Sequence, residues 1–119
     1  MELTDKNYNK LIMKEENPIF IDFYSPSCSP CQQLKVFIKN EFEEYARKNN
    51  VLVLICDISK NQKIAEKFKI RNVPFTIMIT KEKEFKDPQL GLQEAYYYYN
   101  LIEKYNQSKK KGFLKRLFS

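Results

Sequence analysis

The stretch that most limits how this chain can fold is residues 19–31. Ile19-Phe20-Ile21-Asp22-Phe23-Tyr24 is apolar and β-branched or aromatic apart from one acid, the pattern of a strand buried on both faces. Ser25-Pro26-Ser27 makes a turn, and Cys28-Ser29-Pro30-Cys31 follows directly. Beyond it Leu34, Phe37, Ile38, Phe42, Tyr45 and Ala46 recur in steps of three and four, which is one face of a helix. The two thiols therefore sit where a strand stops and a helix begins. With Cys28 near the N-cap, Cys31 falls one turn in, and residues so spaced lie roughly 5–6 Å apart at Cβ. A disulfide needs about 3.5–4.5 Å, so a small adjustment in the first turn closes the bridge. Pro30 fits there because first-turn amides have no helical partner to lose.

That position also carries chemistry. A helix N-terminus bears roughly half a positive charge and favours a thiolate over a thiol. Cysteines at such sites, and in Cys-x-x-Cys pairs generally, are nucleophilic at neutral pH. Cys28 at the tip is expected to be the exposed attacking sulfur, and Cys31 the buried sulfur that resolves the mixed disulfide. Three other readings compete. A structural zinc or iron–sulfur site needs four ligands, and the chain offers one further cysteine, Cys56, and no histidine. A purely structural disulfide suits small secreted domains, yet no secretion signal is visible and so short a loop stabilises little. Two unreactive cysteines are the third reading, and the strand–Cys-x-x-Cys–helix context speaks against it.

The chain of 119 residues is expected to form one domain over residues 1–106, with a sufficient apolar core. A polar, mixed-charge N-terminus and few cysteines point to a cytoplasmic, reducing setting. The longest apolar run, Val51 to Ile55, is too short to span a bilayer. A formal net charge of +6 invites a nucleic-acid partner, but residues 109–119 hold five basic and no acidic residues. Without them 16 Lys and Arg face 15 Asp and Glu, so the body of the domain is nearly neutral and nucleic acid is not expected.

Along the chain, Thr4 is expected to cap a first helix with Tyr8, Leu11 and Ile12 inward. The helix after Cys28 should run to about Lys48, closed by Asn49-Asn50. Val51 to Cys56 reads as a second buried strand, parallel to the first. Ser59 and Gln62 resemble a capping box opening a short helix with Ile64, Ala65 and Phe68 inward. Phe75 to Thr80 follows Pro74 as a third strand. After the charged turn Lys81–Glu84, Phe85 begins a return strand on an edge. Gly91 precedes a last helix with Ala95, Tyr98, Ile102 and Tyr105 on one face, and of the tyrosines at 96–99 two should lie at the surface. The order predicts an α/β sandwich: a mixed sheet flanked by helices on both faces, with right-handed crossovers bringing the third strand beside the first. The Val73-Pro74 turn would then lie near Cys28. Cys56 reads as a small buried hydrophobe.

Over residues 1–106 these features resemble the thioredoxin family. The matching stretches are Ile21-Asp22-Phe23-Tyr24 leading to Cys28-Ser29-Pro30-Cys31, Asp57 after the second strand, Ile70-Arg71-Asn72-Val73-Pro74, and Gly91. The resemblance implies the thioredoxin fold and makes Asp22 the buried acid that takes the proton of Cys31. It makes Pro74 a cis-proline, with Val73 beside it pairing with an extended substrate segment. Ser29, Pro30 and Gly91 would complete the substrate-binding surface. Four positions depart from the family pattern: Ser27 replaces a tryptophan, Ser29 a glycine, Phe75 a threonine, and Val53 the lysine near the buried acid. The loss of that lysine is expected to leave Asp22 further raised by burial.

The expected function is a thiol–disulfide oxidoreductase that reduces protein disulfides through Cys28 and Cys31, without metal or organic cofactor, served by an electron donor such as a thioredoxin reductase. A thioredoxin-fold interaction module, and a narrow-specificity oxidant or isomerase prompted by Ser29 and Phe75, remain the alternatives. In the tail, residues 107–119, a helical arrangement would put Phe113, Leu114, Leu117 and Phe118 on one face beside Lys115 and Arg116. That suits an anionic membrane surface, an acidic partner, or a helix extension packed back on the domain.

Overall fold

The computed structural model describes residues 1–106, so the expectations for the tail, residues 107–119, lie outside the described residues. β1 (Ile19–Tyr24), β2 (Leu52–Asp57), β3 (Phe75–Ile79) and β4 (Phe85–Leu90) form one mixed sheet in the order β2-β1-β3-β4. β1 runs parallel to β2 and antiparallel to β3, and β3 is antiparallel to β4. The third strand does lie beside the first, but antiparallel, so the handedness rule for parallel crossovers is not what brings it there.

Every residue of β1 is buried, and alternation sends its side chains to opposite faces. Ile19, Ile21 and Phe23 join one core cluster with Leu54, Cys56, Ile64, Ile77 and Ile79. Phe20 and Tyr24 join the other with Leu34, Ile38, Phe42, Met78 and Tyr98. Helices cover both faces, as a strand enclosed on two sides requires. Met1–Leu3 adds an element the residue pattern did not announce. It lies along β2, with the Leu3 amide donating to Ile55 O at 2.7 Å and the Ile55 amide to Met1 O at 3.0 Å. This strip covers part of an edge that would otherwise be open to another chain.

The helix after Cys28 is α1 (Ser29–Phe37), a π-helical segment (Ile38–Phe42) and α2 (Glu43–Lys48) in direct succession. After Cys31, its buried residues Leu34, Ile38, Phe42 and Ala46 follow at intervals of four. In a pure α-helix of 3.6 residues per turn, each such step drifts by about 40°. The wider π turn takes up that drift and keeps all four side chains on the sheet. Asn50 closes the helix with φ +62°, a conformation asparagine tolerates better than most residues.

The first helix is a short turn leading into a π-helical segment at Asn9–Met13. The expected Thr4 cap falls on the preceding turn and not on the helical segment: Thr4 Oγ1 accepts from the Asn7 amide and Asn7 Oδ1 accepts from the Thr4 amide, while the segment itself has Tyr8 at its N-cap with no side-chain bond. In α4 (Ala95–Tyr105) the buried residues are Tyr98, Leu101, Ile102 and Tyr105. Ala95 opens the helix between exposed Glu94 and Tyr96 and is itself exposed, so its place on the inner face is taken by Leu101. Of the tyrosine run only Tyr98 is fully enclosed, ringed edge-on by Phe20 and Phe42.

The expected Ser59–Gln62 capping box does not form. Ser59 turns back instead, its amide and hydroxyl donating to Asp57 Oδ1 at 2.9 and 2.6 Å. The N-terminus of α3 (Gln62–Phe68) is capped from far along the chain by Asp5, whose carboxylate accepts from the Ile64 amide at 3.0 Å and the Lys63 amide at 3.3 Å. The Asp5 amide in turn donates to Asn61 Oδ1 at 3.0 Å. Local spacing cannot reveal a cap 58 residues away in sequence. Asp5→Ala should therefore lower stability by about 1 kcal/mol, the usual cost of a lost cap, while Ser59→Ala leaves the capping of α3 intact. Urea unfolding of the two variants checks the contrast.

Candidate active site

The turn after β1 delivers Cys28 to the N-cap of α1 in extended conformation, where its Sγ accepts from the Cys31 amide at 3.2 Å. Helix geometry sets the spacing: Cys28 and Cys31 are joined in a disulfide with Cα atoms 5.2 Å apart, well inside the usual range. Pro30 sits in the first turn of α1, where its missing amide costs no helical bond. The two sulfurs differ sharply in access. Cys28 is half-buried between exposed Ser27 and exposed Ser29 and Pro30, whereas Cys31 is fully enclosed among the core residues.

A second segment faces the pair. The Val73–Pro74 peptide is cis, and Val73 O lies 3.7 Å from Cys28 Sγ. A third segment is tied to it: the Gly91 amide donates to Pro74 O at 2.8 Å. Gly91 has φ +90°, a conformation open to glycine and strained for other residues. Phe75 pairs with Leu90 across the β3–β4 ladder, and Leu90 and Leu92 are exposed. The half-buried sulfur thus has the Val73 backbone carbonyl beside it.

Asp22 lies beneath this surface. It lies two residues from Phe20 and two from Tyr24, so it shares the sheet face that α1 and α4 cover. It is 0 % exposed. Burial, which penalises the charged carboxylate, raises it to about 7, and the positive charge of Lys35 pulls it partly back. The family position of a neighbouring lysine is buried Val53; the cation comes instead from α1. Lys35 Nζ rests 4.6 Å from the centroid of the Tyr24 ring, and the Tyr24 hydroxyl donates to Glu2 Oε1 at 3.0 Å. Lys35 was missed among the candidate residues although a signal existed, since it follows Cys31 by four residues and shares its helix face. Cys56 projects to the opposite face of the sheet, in the other core cluster, where burial chiefly pushes its thiol up to about 12. Among the described residues no helix is long and apolar enough to cross a membrane.

A family model described as Thioredoxin matches residues 1–104. The thioredoxin of Rickettsia bellii is 35% identical over 92 residues, covering 77% of this chain and 85% of that protein. The chloroplastic M-type thioredoxin of Pisum sativum is 32% identical over 103 residues, covering 87% of this chain and 58% of that protein. In structure the chain is similar to a mutant thioredoxin from Halobacterium salinarum NRC-1, with a TM-score of 0.76, 90% of each chain covered and 24% identity, a likeness of fold.

The raised carboxyl of Asp22 has a consequence for stability. An unfolded aspartate releases its proton near pH 4, the folded one near 7. Between those values the folded state holds a proton that the unfolded state has lost, so the stability due to this group is present below about pH 4 and is lost as pH rises through 7. Asp22→Asn should flatten that part of the stability–pH curve in urea unfolding from pH 4 to 8. Lys35→Met should move the Asp22 midpoint upward, with Lys35→Arg restoring it, as read by carboxyl ¹³C NMR titration.

Proposed function

Because the chain belongs to the thioredoxin family and is a dithiol–disulfide oxidoreductase, we propose that Cys28 is its nucleophile, Cys31 its resolving thiol and Asp22 the acceptor of the Cys31 proton. The observation that carries this order is the unequal access of the two sulfurs: Cys28 half-buried at a helix N-terminus, Cys31 enclosed one turn later. The amide of Cys31 and the positive end of α1 favour a thiolate at Cys28.

In the reduced protein the Cys28 thiolate attacks one sulfur of a client disulfide. A Cys28–client bond forms, the client bond breaks, and the departing client thiolate takes a proton from water. Cys31 then gives its proton to the Asp22 carboxylate and attacks Cys28 Sγ. The Cys28–Cys31 bond forms, the second client thiolate leaves, and two electrons have passed to the client. A carboxyl near 7 suits this role, because at neutral pH a sizeable fraction is ionised and able to accept. An electron donor must reduce Cys28–Cys31 again, and a thioredoxin reductase in a cytoplasmic setting is the partner this reading implies.

The Val73 carbonyl next to Cys28 supports a binding mode for clients. An extended segment paired with the Val73 backbone, by strand addition, would hold its disulfide against Cys28. Ser29, Pro30 and Gly91 would border that segment, and Phe75, Leu90 and Leu92 favour clients with apolar residues beside the disulfide.

Single-turnover reduction of a disulfide-linked peptide separates the roles. Cys28→Ser should abolish exchange, Cys31→Ser should accumulate the Cys28–peptide mixed disulfide, and Asp22→Asn should slow its resolution roughly 100-fold or more near pH 7. Trapping through Cys31 in the Cys28→Ser protein at the rate of Cys28 would reverse the assignment.

A further inference from the structure

One more polar group faces Asp22, and neither the motif nor the family pattern assigns it. Thr76 is the register partner of Asp22 in the antiparallel β1–β3 ladder. Both are buried, Thr76 at 1 % exposure and Asp22 at 0 %. Among the described residues, the Thr76 hydroxyl and the two Asp22 carboxyl oxygens are the buried side-chain oxygens that have no hydrogen-bond partner. Buried polar groups are nearly always satisfied. Here the three unsatisfied atoms belong to two side chains placed directly across from each other.

They also point the same way. Phe20 opposes Met78 two positions along the ladder, and both pack in the cluster under α1 and α4. Two residues on from Phe20 and two back from Met78, Asp22 and Thr76 return to that face. Directly opposed residues have Cβ atoms about 4.5–5.5 Å apart. A threonine oxygen one bond from Cβ and a carboxylate oxygen two bonds from Cβ close that gap by rotation of the side chains. The chemistry is complementary, since a carboxylate can only accept and a hydroxyl has one proton to give.

We propose that Thr76 is a positioning residue for Asp22, its hydroxyl donating a hydrogen bond to the carboxylate and holding it ionised and oriented to receive the proton of Cys31. This rests on the reading of Asp22 as proton acceptor. The other polar groups on this face are already engaged or act at longer range. Lys35 of α1 acts through its charge, and Tyr24 of β1 donates to Glu2. Tyr98 of α4 accepts from the Gln93 amide. β2 presents Val53 and Ile55, which do not titrate. In place of the family's lysine on β2, Asp22 thus has a hydroxyl across the sheet on β3.

The test follows the Asp22 midpoint in the reduced full-length protein by carboxyl ¹³C NMR, in Thr76→Val, which keeps the shape, and Thr76→Ser, which keeps the hydroxyl. Thr76→Val should raise the midpoint by roughly one pH unit, a tenfold change in proton affinity, and slow mixed-disulfide resolution below pH 7. The first exchange at Cys28, measured with Cys31→Ser in the same background, should be unchanged. Thr76→Ser should return both the midpoint and the resolution rate towards those of the parent. A midpoint that stays or falls in Thr76→Val, or that rises equally in Thr76→Ser, overturns the proposal. If Asp22→Asn leaves resolution unchanged while Thr76→Val still raises the midpoint, the hydrogen bond stands and the proton-transfer role of Asp22 falls.

Discussion

β1 is enclosed on both faces along its full length, and a strand so placed forces the rest of the molecule into layers. One face must be covered by α1, α2 and α4, the other by the N-terminal turn and α3. The cover on the first face begins at the end of β1 itself, because only a short turn separates Tyr24 from Cys28. The N-terminus of α1 is therefore held at the carboxyl end of β1, with one cysteine at the tip and the other beneath it. The enclosure that builds the core also strips water from Asp22 and lifts its carboxyl to about 7. Core and proton acceptor come from one physical cause, desolvation.

The site then assembles from segments distant in sequence. The Cys28 tip, the Val73–Pro74 cis peptide and the Gly91 turn are joined by one sulfur–carbonyl approach and one amide–carbonyl bond. Each segment ends or begins a strand, so the sheet sets their spacing and the loops are left to present chemistry. The electrostatic balance around Asp22 is likewise shared. A cation on α1 favours the carboxylate, burial opposes it, and a hydroxyl on β3 lies across from it.

Much of this was legible in the residues because the relevant signals are local. The apolar run gives β1 its observed limits, Ile19–Tyr24. β2 and β3 fall within one residue of the expected ends. The helix after Cys28 ends at Lys48, as its three- and four-residue periodicity indicates. What stayed hidden depends on contacts between remote segments. The Asp5 cap of α3, the strip of Met1–Leu3 on β2 and the antiparallel direction of β3 leave no mark in their own neighbourhoods. Ala95 shows the reverse error, an apolar residue in the right helical phase whose position at the start of α4 leaves it exposed.

The sequence by itself determined the strand–Cys-x-x-Cys–helix junction, the buried acid on β1 and the family to which they belong, because periodicity, turn chemistry and motif spacing act over a few residues. Only the tertiary structure decided what surrounds that acid. Lys35 supplies its nearby charge from α1, Thr76 faces it from β3, and Val53 leaves the β2 side apolar. Those neighbours arise from sheet register and helix docking. Both are set by how two layers of side chains pack across a common strand, which no single stretch of the chain encodes.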